Sequence, residues 1–70
     1  MDNNFTDLVL EIDTKRYAGG VLGKMDAVLR LNKQGYAREN VLAGLVYIAR
    51  NIKHTEARNI AIDAYSKRVR

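Results

Sequence analysis

Hydrophobic and polar positions alternate along this chain in runs that repeat at helical pitch. The longest nearly uncharged run is Asn40–Ile52, whose single charge is Arg50. Within it Val41, Leu45, Ile48 and Ile52 fall on one line, flanked by Leu42, Val46 and Ala49. The stripe is wider than a surface helix needs, so the pattern predicts a central helix over about 40–52 that packs on more than one neighbour.

Upstream, Phe5, Leu8, Val9 and Ile12 also recur at helical spacing, with Asn4 or Thr6 available as an N-cap. The same segment carries a strand pattern, in which Leu8, Leu10 and Ile12 alternate with Val9, Glu11 and Asp13. A lone strand would need the same strand of a second copy as its partner. The helical character of the remaining chain favours a helix here. Ala18-Gly19-Gly20 marks a break, since adjacent glycines cost less in a turn than in a helix. Gly19-Gly20-Val21-Leu22-Gly23 lacks the spacing and the preceding strand of a phosphate loop, so it reads as a hinge.

Val21–Lys33 is the next predicted helix, with an apolar stripe of Val21, Leu22, Met25, Val28 and Leu29. Asp26 and Arg30 are spaced to pair on its wet side. Gly35 is the expected left-handed C-cap, Lys33 complements the last turn, and Tyr36 packs back over that end. Thr55 followed by Glu56 predicts a fresh N-cap and a boundary near Lys53–Thr55. One continuous helix from Arg38 to Val69 is the alternative, because neither Gly nor Pro marks that boundary. In the last segment Ala57, Ile60, Ala61, Ala64 and Tyr65 form the predicted apolar face, with Asp63 and Lys67 paired at its side. The expected fold is all-α, a small bundle of three to four helices around the central one, with residues 1–70 as a single domain.

Size changes the picture next. A chain of 70 residues buries only a modest fraction of its surface. Each fully buried large apolar side chain contributes roughly 1.5–3 kcal/mol, against about 1.5 kcal/mol for ordering each residue. The balance falls near zero, and the lack of cysteine removes disulfides and thiolate metal sites as reinforcement. Self-association is the remaining route, so a homodimer is expected. The absence of cysteine fits a cytoplasmic chain. No apolar run approaches the roughly 20 residues of a membrane span, and Met1-Asp2-Asn3-Asn4 is acidic where a signal peptide would be basic.

The formal charge of +4 is unevenly placed. Residues 1–13 hold Asp2, Asp7, Glu11 and Asp13 and no base, so every Lys and Arg lies in 14–70. A basic body with an acidic head suits nucleic acid or an acidic protein surface as partner, or serves solubility alone.

Catalytic chemistry is poorly provided for. His54 is the only histidine and Ser66 the only serine, so a nucleophile–base pair would require those two to meet, with an acid such as Asp63 behind them. No His-x-x-x-His or Asp-x-Asp spacing offers a metal site. Neither an enzyme, a cofactor, a metal nor a small-molecule substrate is expected. Binding surfaces are the better prospect. Asn40, Gly44, Tyr47 and Asn51 share the side of the central helix away from its main stripe, with Arg50 at the border. Tyr and Arg are favoured interface anchors, and a glycine admits a second backbone. The bland alternative is that Tyr47 merely covers a neighbouring helix or the N-terminal segment. A second, basic set comprises Arg58, Lys67, Arg68 and Arg70, extended by Lys53, against the alternative of a solvated tail.

The stretch Leu29-Arg30-Leu31-Asn32-Lys33-Gln34-Gly35-Tyr36-Ala37-Arg38-Glu39-Asn40-Val41-Leu42 resembles the helix–turn–helix core of ribbon-helix-helix DNA-binding proteins. Arg38 and the pair Val41–Leu42 match that pattern, and Ala37 stands where a capping Ser is usual. The resemblance implies a dimer whose N-terminal strands pair into a ribbon in the major groove, which would place Leu8–Asp13 in the ribbon. It also implies that Arg38 and the start of the central helix hold phosphate. Taken together, the leading expectation is a homodimeric protein-binding module, an adaptor or inhibitor that blocks another protein's surface. The rival expectation is a dimeric DNA-binding regulator, and a structural assembly subunit stands behind both.

Overall fold

Three glycines with positive φ bracket the second helix. Gly19 (φ 87°) and Gly20 (φ 61°) turn the chain into its second helix, and Gly35 (φ 105°) turns it out again. In the computed structural model, which describes residues 3–70, the order is α1 (Asn3–Thr14), α2 (Gly20–Lys33), α3 (Arg38–Ala49) and α4 (Thr55–Ser66). The described residues form no strand. Asp2, counted above in the acidic head, lies outside the described residues.

α1 settles the ambiguous first segment as helix. Leu8–Asp13, which the ribbon would need extended, is its second half. Phe5, Val9 and Ile12 point inward and are buried, with Leu8 packed beside them. Asn4 and Thr6 both lie inside α1, so neither caps it. Asn4 Nδ2 instead donates to the Tyr36 hydroxyl at 2.9 Å, and the Tyr36 ring leans on Phe5 with centroids 5.2 Å apart. Tyr36 thus ties α1 to the end of α2.

α2 buries Met25, Val28, Leu29 and Leu31. Leu22, expected in that stripe, is 49% exposed. α4 reaches the Leu22 position through the backbone, where the Tyr65 hydroxyl donates to the Leu22 carbonyl at 3.2 Å, and the side chain is left outside. Asp26, expected to pair with Arg30, faces Arg68 at 3.8 Å. The C-terminus of α2 is closed as expected: Gly35 N–H donates to Asn32 O and Tyr36 N–H to Leu31 O, each at 3.1 Å. These are the paired bonds of a Schellman motif, with the glycine in its left-handed position.

α3 begins two residues earlier and ends three earlier than the apolar run that predicted it. Arg50 and Asn51 leave the helix through a turn in which Ile52 N–H donates to Ala49 O at 2.9 Å. That turn removes the single helix from Arg38 to Val69. Val41, Leu45 and Ile48 are fully buried, and α3 contacts each of the other three helices. Within one chain α1, α2 and α4 thus cover the Val41, Leu45 and Ile48 positions of this stripe, while Val46 at its flank stays 51% exposed.

α4 opens at Thr55, with His54 in the cap position and no side-chain bond closing the cap, so Thr55 is the first helical residue and not the cap. Its inward face also differs from expectation. Ala61 is buried and Ile62 and Tyr65 pack against the core, whereas Ala57 and Ala64 are exposed and Ile60 is 62% exposed. Apolar residues occupy two sides of this helix, and its docking picks one. The choice is fixed beyond the helix end, where Val69 enters the core while Arg38 Nη1 donates to the Val69 carbonyl at 2.8 Å. No helix among the described residues is long and apolar enough to cross a membrane.

Candidate functional site

The Tyr47 side of α3 is largely turned to internal use. Gly44 is buried, and a Cβ there would lie 3.1 Å from Val28 Cγ1, 3.2 Å from Val9 Cγ2 and 3.3 Å from Phe5 Cε2. Its bareness serves the approach of α1 and α2, not a partner's backbone; the exposed dent expected at Gly44 is corrected. Arg50 grips Asp13 at the end of α1 through two bonds, Nη1 to Oδ1 at 3.1 Å and Nη2 to Oδ2 at 2.9 Å. Asn51 Nδ2 adds a third to Asp13 Oδ1 at 3.0 Å. The Arg50 hydrogen bonds, chiefly, hold the Asp13 carboxyl below its ordinary range. The Arg50 guanidinium also lies 3.9 Å over the Tyr47 ring, so ring, cation and carboxylate form one stack clamping α1 to α3. Tyr47 and Asn40 remain half-buried and Arg50 and Asn51 exposed, but the polar groups of Tyr47, Arg50 and Asn51 already have partners.

The basic residues separate into two groups. Lys67 pairs with Asp63 at 3.0 Å on the outer face of α4. Arg58 turns its Nη1 to the Ile52 carbonyl at 3.4 Å, and Lys53 stands exposed in the α3–α4 turn. These do not gather. Arg68 and Arg70 do, with two residues that sequence reasoning left out of the basic set, Arg30 and Lys33. A groove of about 300 Å³ is lined by Asp26, Leu29, Arg30, Lys33 and Arg68. It runs into a hollow of about 130 Å³ that shares Leu29, Lys33 and Arg68 and adds Asn32 and Arg70. Arg38 borders this end through its bond to Val69.

Local structure places each of these cations. Arg30 and Lys33 sit one turn apart at the end of α2 and so share a face. The C-terminal segment, expected as a possible solvated tail, is pinned beside them. Arg70 N–H donates to Asn32 Oδ1 at 2.8 Å, and Asn32 Nδ2 donates to the main-chain oxygen of Arg70 and the Tyr36 carbonyl, each at 3.1 Å. Arg68 lies 5.3 Å from the Tyr65 ring. Burial first, and Asp26 second, push the Tyr65 hydroxyl above its ordinary value. Among the described residues Arg30, Lys33 and Arg70 enter no ion pair, and the Arg68–Asp26 contact is long and exposed on both sides. One acidic side chain, Asp26, therefore stands among four cations, of which Arg30, Lys33 and Arg70 have no ion-pair partner among the described residues. Both residues that sequence reasoning left out carry a sequence signal of another kind: Arg30 is spaced to pair with Asp26, and Lys33 is a cation favoured at a helix C-terminus.

His54 and Ser66 lie at opposite ends of α4, about 18 Å apart at 1.5 Å per residue, so they do not meet. Among the described residues no three His, Asp or Glu side chains converge as a metal site would require. No family model matches this chain, and comparison with curated proteins and with solved structures returns no match.

Proposed function

We propose that this chain is a non-enzymatic nucleic-acid-binding module that holds the phosphate backbone in the groove between the end of α2 and the C-terminal segment. The observation that carries the reading is the convergence of Arg30, Lys33, Arg68 and Arg70 on two adjoining hollows, which share Leu29, Lys33 and Arg68 and hold a single acidic side chain, Asp26. Cations that neutralise phosphates release condensed counterions, so affinity falls steeply with salt. With four contacts the slope of log affinity against log salt is about −3 to −4 on duplex DNA. Fluorescence anisotropy of a labelled duplex across a salt series measures it. The double variant Arg30→Ala/Lys33→Ala should flatten the slope by about 2 while circular dichroism stays helical. An unchanged slope in a folded variant would place the anion elsewhere.

The protein-binding reading remains as the second, in the form of a homodimeric adaptor or inhibitor. It is supported by Ile60, 62% exposed between the exposed Ala57 and Ala64 on the outer face of α4. Ile60→Glu should abolish self-association in sedimentation experiments without loss of helicity. If the unaltered chain sediments as a monomer at high micromolar concentration, the homodimer is excluded.

A further inference from the structure

We infer that the groove takes double-stranded nucleic acid, gripping the backbone without reading bases; this rests on the nucleic-acid reading above. Single strands are held by basic channels that also stack bases on exposed aromatic rings. Here the aromatic side chains are Phe5 and four tyrosines, and none lines the groove. Phe5 is fully buried and Tyr36 stacks on it. Tyr47 lies under Arg50. Tyr65 is half-buried with its hydroxyl anchored on Leu22 and Arg68 beside its ring, and Tyr17 is packed against the core. A single strand entering the groove finds charge but no stacking platform.

Base reading is equally unprovided. The one amide in the groove, Asn32, has its Nδ2 and Oδ1 committed to main-chain groups of Tyr36 and Arg70. Arg30 lines the site from α2, and Arg68 and Arg70 from the C-terminal segment. A concave site fits the ridge of a phosphate backbone. A duplex also presents about twice as many charges per unit length as one of its strands, which favours a site whose whole contribution is electrostatic.

The test compares labelled oligonucleotides of equal length by anisotropy at one salt concentration: a mixed-sequence duplex, a second duplex of unrelated sequence, and a single strand of thymidines. Vesicles of phosphatidylserine and phosphatidylcholine form a further arm, read by co-sedimentation. The expected result is a duplex at least about tenfold tighter than the single strand, with the two duplexes indistinguishable. A single strand bound as tightly as the duplex overturns this inference and leaves the nucleic-acid reading standing. A strong preference between the two duplexes overturns the claim that bases go unread. Failure to bind any oligonucleotide removes the underlying reading as well, and vesicle binding in that case identifies a lipid headgroup as the anion.

Discussion

Gly44 shows how much one residue decides in a chain of this size. It lies in α3 where Phe5, Val9 and Val28 close in from α1 and α2, and all three are essentially fully buried. Alanine would gain about 1 kcal/mol of helix propensity over glycine and lose it to crowding at 3.1–3.3 Å. Gly44→Ala should therefore change the urea midpoint little, whereas Gly44→Val, which adds an isopropyl group to a filled site, should cost about 1–3 kcal/mol. Gly23 is a stricter case, since a Cβ there would land on the Ala18 carbonyl oxygen, which is backbone and cannot turn aside. Asp13 works through charge. Its folded-state pKa is depressed, chiefly by the Arg50 hydrogen bonds, below the unfolded carboxylate value of about 3.9. As pH falls, the unfolded chain takes up this proton first. The stability contributed by the pair is thus fully present above that value and is lost as pH drops through it toward the folded pKa. Thermal melts from neutral to strongly acidic pH should show this loss, and Asp13→Asn should lower the neutral-pH melting temperature and flatten the acid limb.

At the scale of elements, the parts that the sequence made legible are those where one signal acted alone. Gly35 with a basic turn before it ended α2 as expected, and the spacing of Phe5, Val9 and Ile12 described the buried face of α1. α4 was misjudged because its apolar residues lie on two sides. Ala57, Ile60 and Ala64 make as good a stripe as Ala61, Ile62 and Tyr65, and periodicity cannot choose between them. Two contacts chose: the Tyr65 hydroxyl on the Leu22 carbonyl and the anchoring of Val69 by Arg38. Both join residues more than thirty positions apart, beyond the reach of any local pattern. The candidate groove was hidden for the same reason. Arg30 and Lys33 become neighbours of Arg68 and Arg70 only because Asn32 binds the Arg70 main chain. The Tyr47 patch failed in the opposite way: its residues share a face as expected, but no local pattern signals that Asp13, more than thirty positions away, occupies Arg50 and Asn51.

For the molecule as a whole, the question is whether one copy completes its own interior. The size argument suggested that it cannot, yet the largest fully buried side chains come from α1, α2 and α3 alike, and α3 touches all its neighbours. Among the described residues no buried side-chain nitrogen or oxygen lacks a hydrogen-bond partner, so little desolvation cost is left for a second chain to offset. The most exposed of the large apolar side chains is Ile60, with exposed alanines on either side of it, ahead of Val46, Leu22 and Leu10. Any partner that binds only the folded state raises the melting temperature with concentration, so the Ile60→Glu variant separates folding from association. That variant should keep the helicity of the unaltered chain and melt in one transition whose midpoint stays constant across a hundredfold range of protein concentration. A midpoint that climbs with concentration in this variant would mean that some other face, most directly the exposed side of α3 around Val46, completes the interior with a second chain.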